Sequence, residues 1–544
     1  MRVRKIKNII FLLITLNLVS IFSTSCGKDR YEFTSVPTGE TSIQRSPSTT
    51  AEGGSTARPI APVEIEMYIN HPWYPLREWK GAIPEEITKR TGVGLKLKIA
   101  SDDKQLLMLI ASGELPEMIF ADYSYFKRLS DYRLSYSWNK LIEQYVPDFE
   151  IDDRTASVYR VSDGNFYTVL NEFGTSEDWK SEEYAMPIGG GLSLRKDLYE
   201  KLGSPSINSL EELEKVLDMA KEQYQGLAPL VMNPSWKGTF ISYQYGLAMN
   251  KGFVENDNGK AIYYIKQEGV LDYYKTMNRF YRKGYLDPQN YVFKSEEQSY
   301  QIAIDGKCFA YMDMNSTADD LNAKSAAAGT DYEFIQLINP LRESAAYYNT
   351  GIGWSGVFIT RNNKHPKESI NLMKFLSSEE GQRLSYWGIE GRHWTMNPAG
   401  YPEFRINTAD EAALVKEGVK WSGLFATNAI TEGLFNYNPN LRQTSEAAKE
   451  IKKRTIYRPE LGMLLPDVNT PENSIKSSID EMIKNEEIKI YLAKSEEECI
   501  KAYNNMLSAA EKLGMSDLEV WANSEYTRAK ELFKTGVYGL EGGD

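Results

Sequence analysis

From residue 63 the chain settles into a regular alternation of apolar and polar positions. Val63, Ile65, Met67 and Ile69 alternate with Glu64, Glu66 and Tyr68, the two-residue period of a strand. Residues 84–92 (PEEITKRTG) place proline in a first helical turn, acids beside it and glycine at the stop, which predicts a helix. Leu95, Leu97 and Ile99 alternate with Lys96 and Lys98 and predict a second strand. Residues 104–112 predict a helix with Leu106, Leu107 and Ile110 on one face, ended by Gly113, and residues 117–121 (EMIFA) a third, mostly apolar strand. Strand–helix–strand–helix–strand is the opening of an open parallel sheet in an α/β protein. Further along, Ser209 and Glu212 make a capping box for a helix whose Leu210, Leu213, Leu217 and Ala220 share one face. Pro366 opens another helix, carrying Ile370, Met373 and Leu376.

The pattern before residue 63 is different. Arg2, Arg4, Lys5 and Lys7 precede an apolar run over residues 9–22, and Ser23, Thr24 and Ser25 lead into Cys26. These are the parts of a secretory signal peptide over residues 1–25. The run is short for a membrane span and is interrupted by Thr15, Asn17 and Ser20. A cysteine directly after the cut site resembles the bacterial lipoprotein signal, which implies lipidation of Cys26 and palmitate on it. Ser23 stands where that signal usually has leucine. Residues 26–62 are rich in Gly, Ser, Thr and Pro and poor in apolar side chains, so they are expected to form a disordered tether.

About 480 residues remain beyond the tether, too many for one core and suited to two lobes. The chain carries 63 Lys+Arg against 75 Asp+Glu, a net charge of −12. Loss of the signal leaves 59 basic residues against the same 75 acids, or −16. An acidic domain without a basic run argues against nucleic acid and against electrostatic binding to anionic lipid. Only Cys308 and Cys499 remain after Cys26, so no disulfide framework is expected and two separately buried thiols are.

In an open α/β sheet, ligands bind beyond the carboxyl ends of the strands. Trp73 and Tyr74 follow the first strand; Asp122 and Tyr123 follow the third. Aromatic faces stack on pyranose rings and carboxylates accept hydroxyl hydrogen bonds, so this set suits a sugar. Catalytic and metal motifs are absent. His71, His365 and His393 form no metal spacing, no GxSxG elbow occurs, and Asp257-Asn258-Gly259 lacks the ligand spacing of a calcium loop. The triple glycine 189–191 lacks phosphate-loop spacing and reads as a hinge or a close backbone approach. A pair of glycosidase carboxylates is not legible among 75 acids.

Several segments, in order, resemble family 1 extracellular solute-binding proteins of ABC sugar importers. They are residues 111–120 (ASGELPEMIF), 138–145 (WNKLIEQY), 163–167 (DGNFY), 194–203 (LRKDLYEKLG), 280–288 (FYRKGYLDP), and 377–381 (SSEEG) with 386–394 (YWGIEGRHW). The last pair is similar to the long lipoprotein subgroup of Gram-positive bacteria. The resemblance implies a two-lobed periplasmic-binding-protein-like (type II) fold with crossing segments near residues 188–191, 353–360 and 391–397. It divides the chain into a first lobe of residues 63–187 and 358–393 and a second of 188–357 and 394–544. Trp236, Asp313, Trp354, Arg392, Trp394 and Trp421 are the further ligand candidates at the lobe interface, with packing as the alternative for each. The function expected is non-catalytic delivery of an oligosaccharide to an ABC permease by a lipid-anchored, cofactor-free monomer on the extracellular face of the membrane. The alternatives are a surface glycoside hydrolase and a receptor for a non-sugar solute such as a peptide.

Overall fold

The computed structural model describes residues 61–533 except 103–104, 175–189, 250–251, 437–440 and 469. The expected signal, Cys26 and nearly all of the expected tether lie outside the described residues, as do Ile188 and Gly189. No described helix is long and apolar enough to cross a membrane.

The three strands expected from alternation form Val63–Ile69, Val93–Ile99 and Met118–Asp122. They pair in parallel with Val63–Ile69 in the middle, where Ile69 lies opposite Ile99 on one side and Phe120 on the other. Helices Ala82–Thr91 and Gln105–Ser112 are the crossovers. Gly92 ends the first at φ 72°, a left-handed value that glycine takes without a Cβ penalty, and its N–H donates to the Thr88 carbonyl at 2.8 Å. The second helix departs from expectation. It buries Leu106 and leaves Leu107 39% exposed: neighbours in a helix point about 100° apart, and this helix buries only the side that carries Leu106. A fourth strand, Ser355–Ile359, arrives from far along the chain and pairs antiparallel to Met118–Asp122, with Ser355 opposite Asp122. The sheet is therefore mixed.

A second four-stranded sheet runs in the order Ala228–Met232, Cys308–Met314, Gly190–Arg195, Phe334–Leu337. Its first two strands are parallel, and Gly190–Arg195 is antiparallel to both of its neighbours. Against it packs Leu210–Gln223, which buries Leu210, Leu213, Leu217 and Ala220 as its period requires. Ser209 Oγ accepts the Glu212 N–H at 3.1 Å, while the Glu212 carboxylate reaches one residue further back than a capping box does, to the Asn208 N–H at 2.7 Å. Cys308 and Cys499 are both buried free thiols.

Among the described residues the two largest apolar cores are separate. One is built from residues 63–173 and 352–435 with Phe533, the other chiefly from residues 192–348 and 461–526. Tyr347–Asn349 and Thr455–Tyr457 pair in parallel, with Tyr348 packed on the second core, and Leu461 and Leu464 join the second core while Met463 packs on the first. The crossing expected at 391–397 is not one. Trp394–Met396 pairs with Pro402–Phe404 in a local hairpin, and Trp394, Leu414, Leu424, Phe425 and Phe435 all lie in the first core. The segment after 393 thus stays with the first lobe, because its aromatic residues are buried there. The strand Ser355–Ile359 likewise belongs to the first sheet, so the earlier passage between the lobes lies before residue 352. Gly190 and Gly191 sit within a strand, not at a free hinge: a Cβ on Gly190 would collide with the Phe240 backbone nitrogen, and one on Gly191 with the Met314 carbonyl. Close backbone approach is their role.

Candidate functional site

The carboxyl end of the first sheet carries a cluster of aromatic side chains. Asn70 and His71 turn the chain inward and are buried, and Trp73 then stands 51% exposed. Because Ser355–Ile359 runs antiparallel, its amino end meets the carboxyl ends of the other strands, and Trp354 arrives beside Trp73. Trp421 comes from the segment after helix Glu411–Glu417. The ring of Trp73 lies 5.9 Å from Trp354, 6.4 Å from Trp421 and 5.1 Å from His71, centroid to centroid. Three indoles that are far apart in sequence form one floor.

The supports of that floor are hydrogen-bonded. Tyr74 is fully buried, stacks on Phe425 at 5.9 Å and donates its hydroxyl to the Trp421 carbonyl at 2.6 Å. It holds Trp421 in place and offers no face to a ligand. His71 Nε2 lies 2.9 Å from Ser355 Oγ, and burial pushes its pKa down to about 4 against the opposing charge of Asp122. The imidazole is therefore neutral at physiological pH. Asp122 Oδ1 accepts the Ser124 N–H at 2.8 Å and so caps the turn that sets Tyr123. Tyr123 takes a backbone bond to the Trp354 carbonyl at 2.7 Å and donates its hydroxyl to the Gly462 carbonyl at 2.9 Å. That bond reaches the segment shared by the two cores.

On the second lobe, Asn233, Ser235 and Trp236 follow the parallel strand Ala228–Met232. Trp236 lines a recess of about 150 Å³ together with Thr239, Ser242, Tyr243, Tyr347 and Tyr348. The recess adjoins the Tyr347–Asn349 crossing strand. Asp313 is buried, and burial raises its pKa to about 7 although Asn233 and Tyr300 hydrogen-bond to it. Asn233 in turn accepts the Ser235 N–H at 2.8 Å, so Asp313 anchors the loop that carries Trp236.

Two sequence candidates lie elsewhere. Trp394 is 2% exposed, packs edge-on against Trp387 at 5.1 Å and donates its indole N–H to the Gly388 carbonyl at 2.8 Å. Arg392 is exposed and pairs with Glu417 at 2.6 Å on the surface of the first lobe. Neither reaches the indole floor. Their motif is a hairpin whose tryptophan faces the core, since a large apolar ring gains most by leaving water.

Sequence reasoning missed Glu172, Glu432 and Lys420. Glu172 Oε1 accepts the Trp354 indole N–H at 2.6 Å, and the Glu432 carboxylate lies near it. Burial and the Glu432 charge raise the Glu172 pKa well above the usual carboxylate range. Lys420 Nζ stands 5.1 Å from the Trp421 ring centre. Glu172 and Lys420 both have positive φ, 53° and 68°. Such values are costly for residues with a Cβ and gather at functional sites, but they leave no mark in a sequence. Among the described residues, no group of three or more His, Cys, Asp or Glu side chains is placed to hold a metal ion.

No protein-family model matches the chain, and no curated protein matches it in sequence. Solved structures do match in fold. The alginate-binding protein AlgQ2, in a crystal structure without calcium ion, superposes with a TM-score of 0.63 at 16% identity, over 86% of this chain and 98% of that one. The Streptococcus pneumoniae ABC-transporter substrate-binding protein FusA, in complex with kestose, gives 0.63 at 16% identity over 86% and 100%. The S. pneumoniae N-glycan transport solute-binding protein NgtS, with Man1GlcNAc bound, gives 0.55 at 17% identity over 87% and 99%. With two large cores and two mixed four-stranded sheets, the chain has the two-lobed α/β fold of these solute-binding proteins.

Proposed function

We propose that this protein is the solute-binding component of an ABC importer and captures an oligosaccharide between its lobes without chemical change. The observation that carries the reading is Trp73, half exposed at the carboxyl end of a sheet with Trp354 and Trp421 beside it. A soluble domain gains by burying such a side chain, so a tryptophan left in water at the binding end of the sheet is there for a ligand. Trp73, Trp354 and Trp421 form the stacking floor, Asp122 lies at its edge, and Trp236 is the aromatic of the facing lobe. Tyr74, Tyr123 and Asp313 act as supports. The sugar-binding functions named for AlgQ2, FusA and NgtS favour the same ligand class.

The partners follow from that role. Two permease subunits would take the closed form, and the carbohydrate is the cargo. Lipid on Cys26 would hold a monomer at the outer face of the membrane through the 26–62 tether. Cys26→Ser is expected to release folded protein into the medium; cell fractionation that finds the variant still wholly membrane-bound would refute the anchor. Native mass spectrometry of protein from its own host is the most direct test of cargo. A sugar that closes the lobes should also shrink the radius of gyration in small-angle scattering and raise the melting temperature, since it binds only the folded state. The sugar should be recovered intact after long incubation. Cleaved product, abolished by one Asp or Glu substitution, would replace the receptor with a hydrolase.

A further inference from the structure

Among the described residues the chain meets both cores in two short stretches. Tyr348 packs on the second core and Ile352 lies in the first, so residues 349–351 carry the chain from one to the other. Residues 461–464 serve both, with Leu461 and Leu464 in the second core and Met463 on the first. The two stretches touch at Gly462. A Cβ there would stand 2.7 Å from Ile352 Cδ1 and 2.8 Å from Thr350 Cβ, so glycine alone fits without displacing them. Each stretch is held from the first lobe by one tyrosine. Tyr159 donates its hydroxyl to the Ile352 carbonyl at 2.8 Å, and Tyr123 donates its own to the Gly462 carbonyl at 2.9 Å. Phe126 contacts both rings, 5.6 Å from Tyr123 and 6.0 Å from Tyr159, so the two donors belong to one aromatic stack. Arg458 holds the other side. Its N–H donates to the Asn349 carbonyl at 2.8 Å, and its guanidinium bonds Glu255 and the Tyr526 hydroxyl of the second lobe.

We propose that the lobes turn about the contact of Gly462 with Thr350 and Ile352, and that Tyr123 and Tyr159 are positioning residues that hold this pivot to the first lobe. Arg458 holds it to the second. Bending is left to the short stretches between these bonds, residues 350–351 and 459–461. Gly351, at φ 64°, stands in the first of them, where a left-handed value carries no Cβ penalty. A few such residues absorb the change in backbone angles while the packed parts on either side move as bodies. Tyr123 also donates its backbone N–H to the Trp354 carbonyl at 2.7 Å, so one residue is bonded both to the pivot and to the aromatic floor. The inference takes its purpose from the lobe closure in the proposed function, but the pivot can be read without any ligand.

The test uses ligand-free, full-length protein carrying Cys26→Ser, so that only added thiols react; Cys308 and Cys499 are buried. Spin labels on Lys140→Cys and Glu222→Cys, exposed positions on helices of the first and second lobe, report the spread of interlobe distances. Tyr123→Phe keeps the ring and the backbone bond to Trp354 and removes only the hydroxyl. It should broaden that spread. It should also speed amide exchange in residues 349–352 and 458–464 by roughly 2- to 10-fold, the reach of one neutral hydrogen bond, with the rest of the first lobe unchanged. Tyr159→Phe should do the same from the other stretch, and Trp73→Ala, which touches neither, should do neither. An unchanged spread of distances would overturn the proposal. So would faster exchange throughout the first lobe, which would make Tyr123 a packing residue. If Tyr123→Phe does not fold, Tyr159→Phe decides in its place. A pivot found in a protein that binds no sugar would stand and refute the sugar reading instead.

Discussion

Trp394→Ala should lower the stability of the fold by about 3–5 kcal/mol, the usual cost of truncating a buried tryptophan, and leave sugar affinity untouched. The ring is 2% exposed and meets Trp387 edge to face at 5.1 Å. Its removal opens a cavity that a close-packed core cannot fill, and it strands the Gly388 carbonyl that its indole N–H satisfies. The hairpin Trp394–Met396 with Pro402–Phe404 loses its anchor to the first core. Denaturant melts and calorimetry on the same preparation distinguish the outcomes. Unchanged melts with weakened binding would put Trp394 in the site after all.

The opposite behaviour is expected of Trp73→Ala. Half of this ring is already in water, so its loss should leave the melting temperature of the ligand-free protein nearly unchanged. Oligosaccharide affinity should fall by about 1–3 kcal/mol, the range of an anchoring aromatic, or roughly 5- to 150-fold in Kd. The contrast with Trp394 tests the burial argument directly, since both are tryptophans in the same lobe and differ chiefly in what they face. Titration with a panel of neutral oligosaccharides, kestose among them, supplies the affinity. A large loss of stability with unaltered affinity would make Trp73 a packing residue and leave the indole floor without its centre.

Local order was legible because local physics dictates it. The alternation Val63–Ile69, the proline and glycine that bracket Ala82–Thr91, and the Leu210–Leu213–Leu217–Ala220 face each follow from neighbours in sequence. The carboxyl-end rule then placed Trp73 correctly at the end of its strand. The rule could not tell Trp73 from Tyr74, because which of two adjacent aromatics turns inward depends on Phe425 and the Trp421 carbonyl, both supplied from far along the chain.

The sequence by itself therefore determined the first three strands, the helices that carry a clear period, the acidic net charge and the place of Trp73 beyond the carboxyl end of its strand. Tertiary structure alone decided three other things. It sent Trp394 into the core and Trp354 beside Trp73, because an antiparallel fourth strand brings Trp354 to the carboxyl end of the parallel strands while a hairpin folds Trp394 against Trp387. It kept residues 394–435 with the first lobe, since their apolar side chains find their partners there. It also brought Glu172 and Glu432 together beneath Trp354. Long-range pairing of this kind carries no period and no local signature: what joins such residues is burial and hydrogen bonding, and both exist only after the chain has folded.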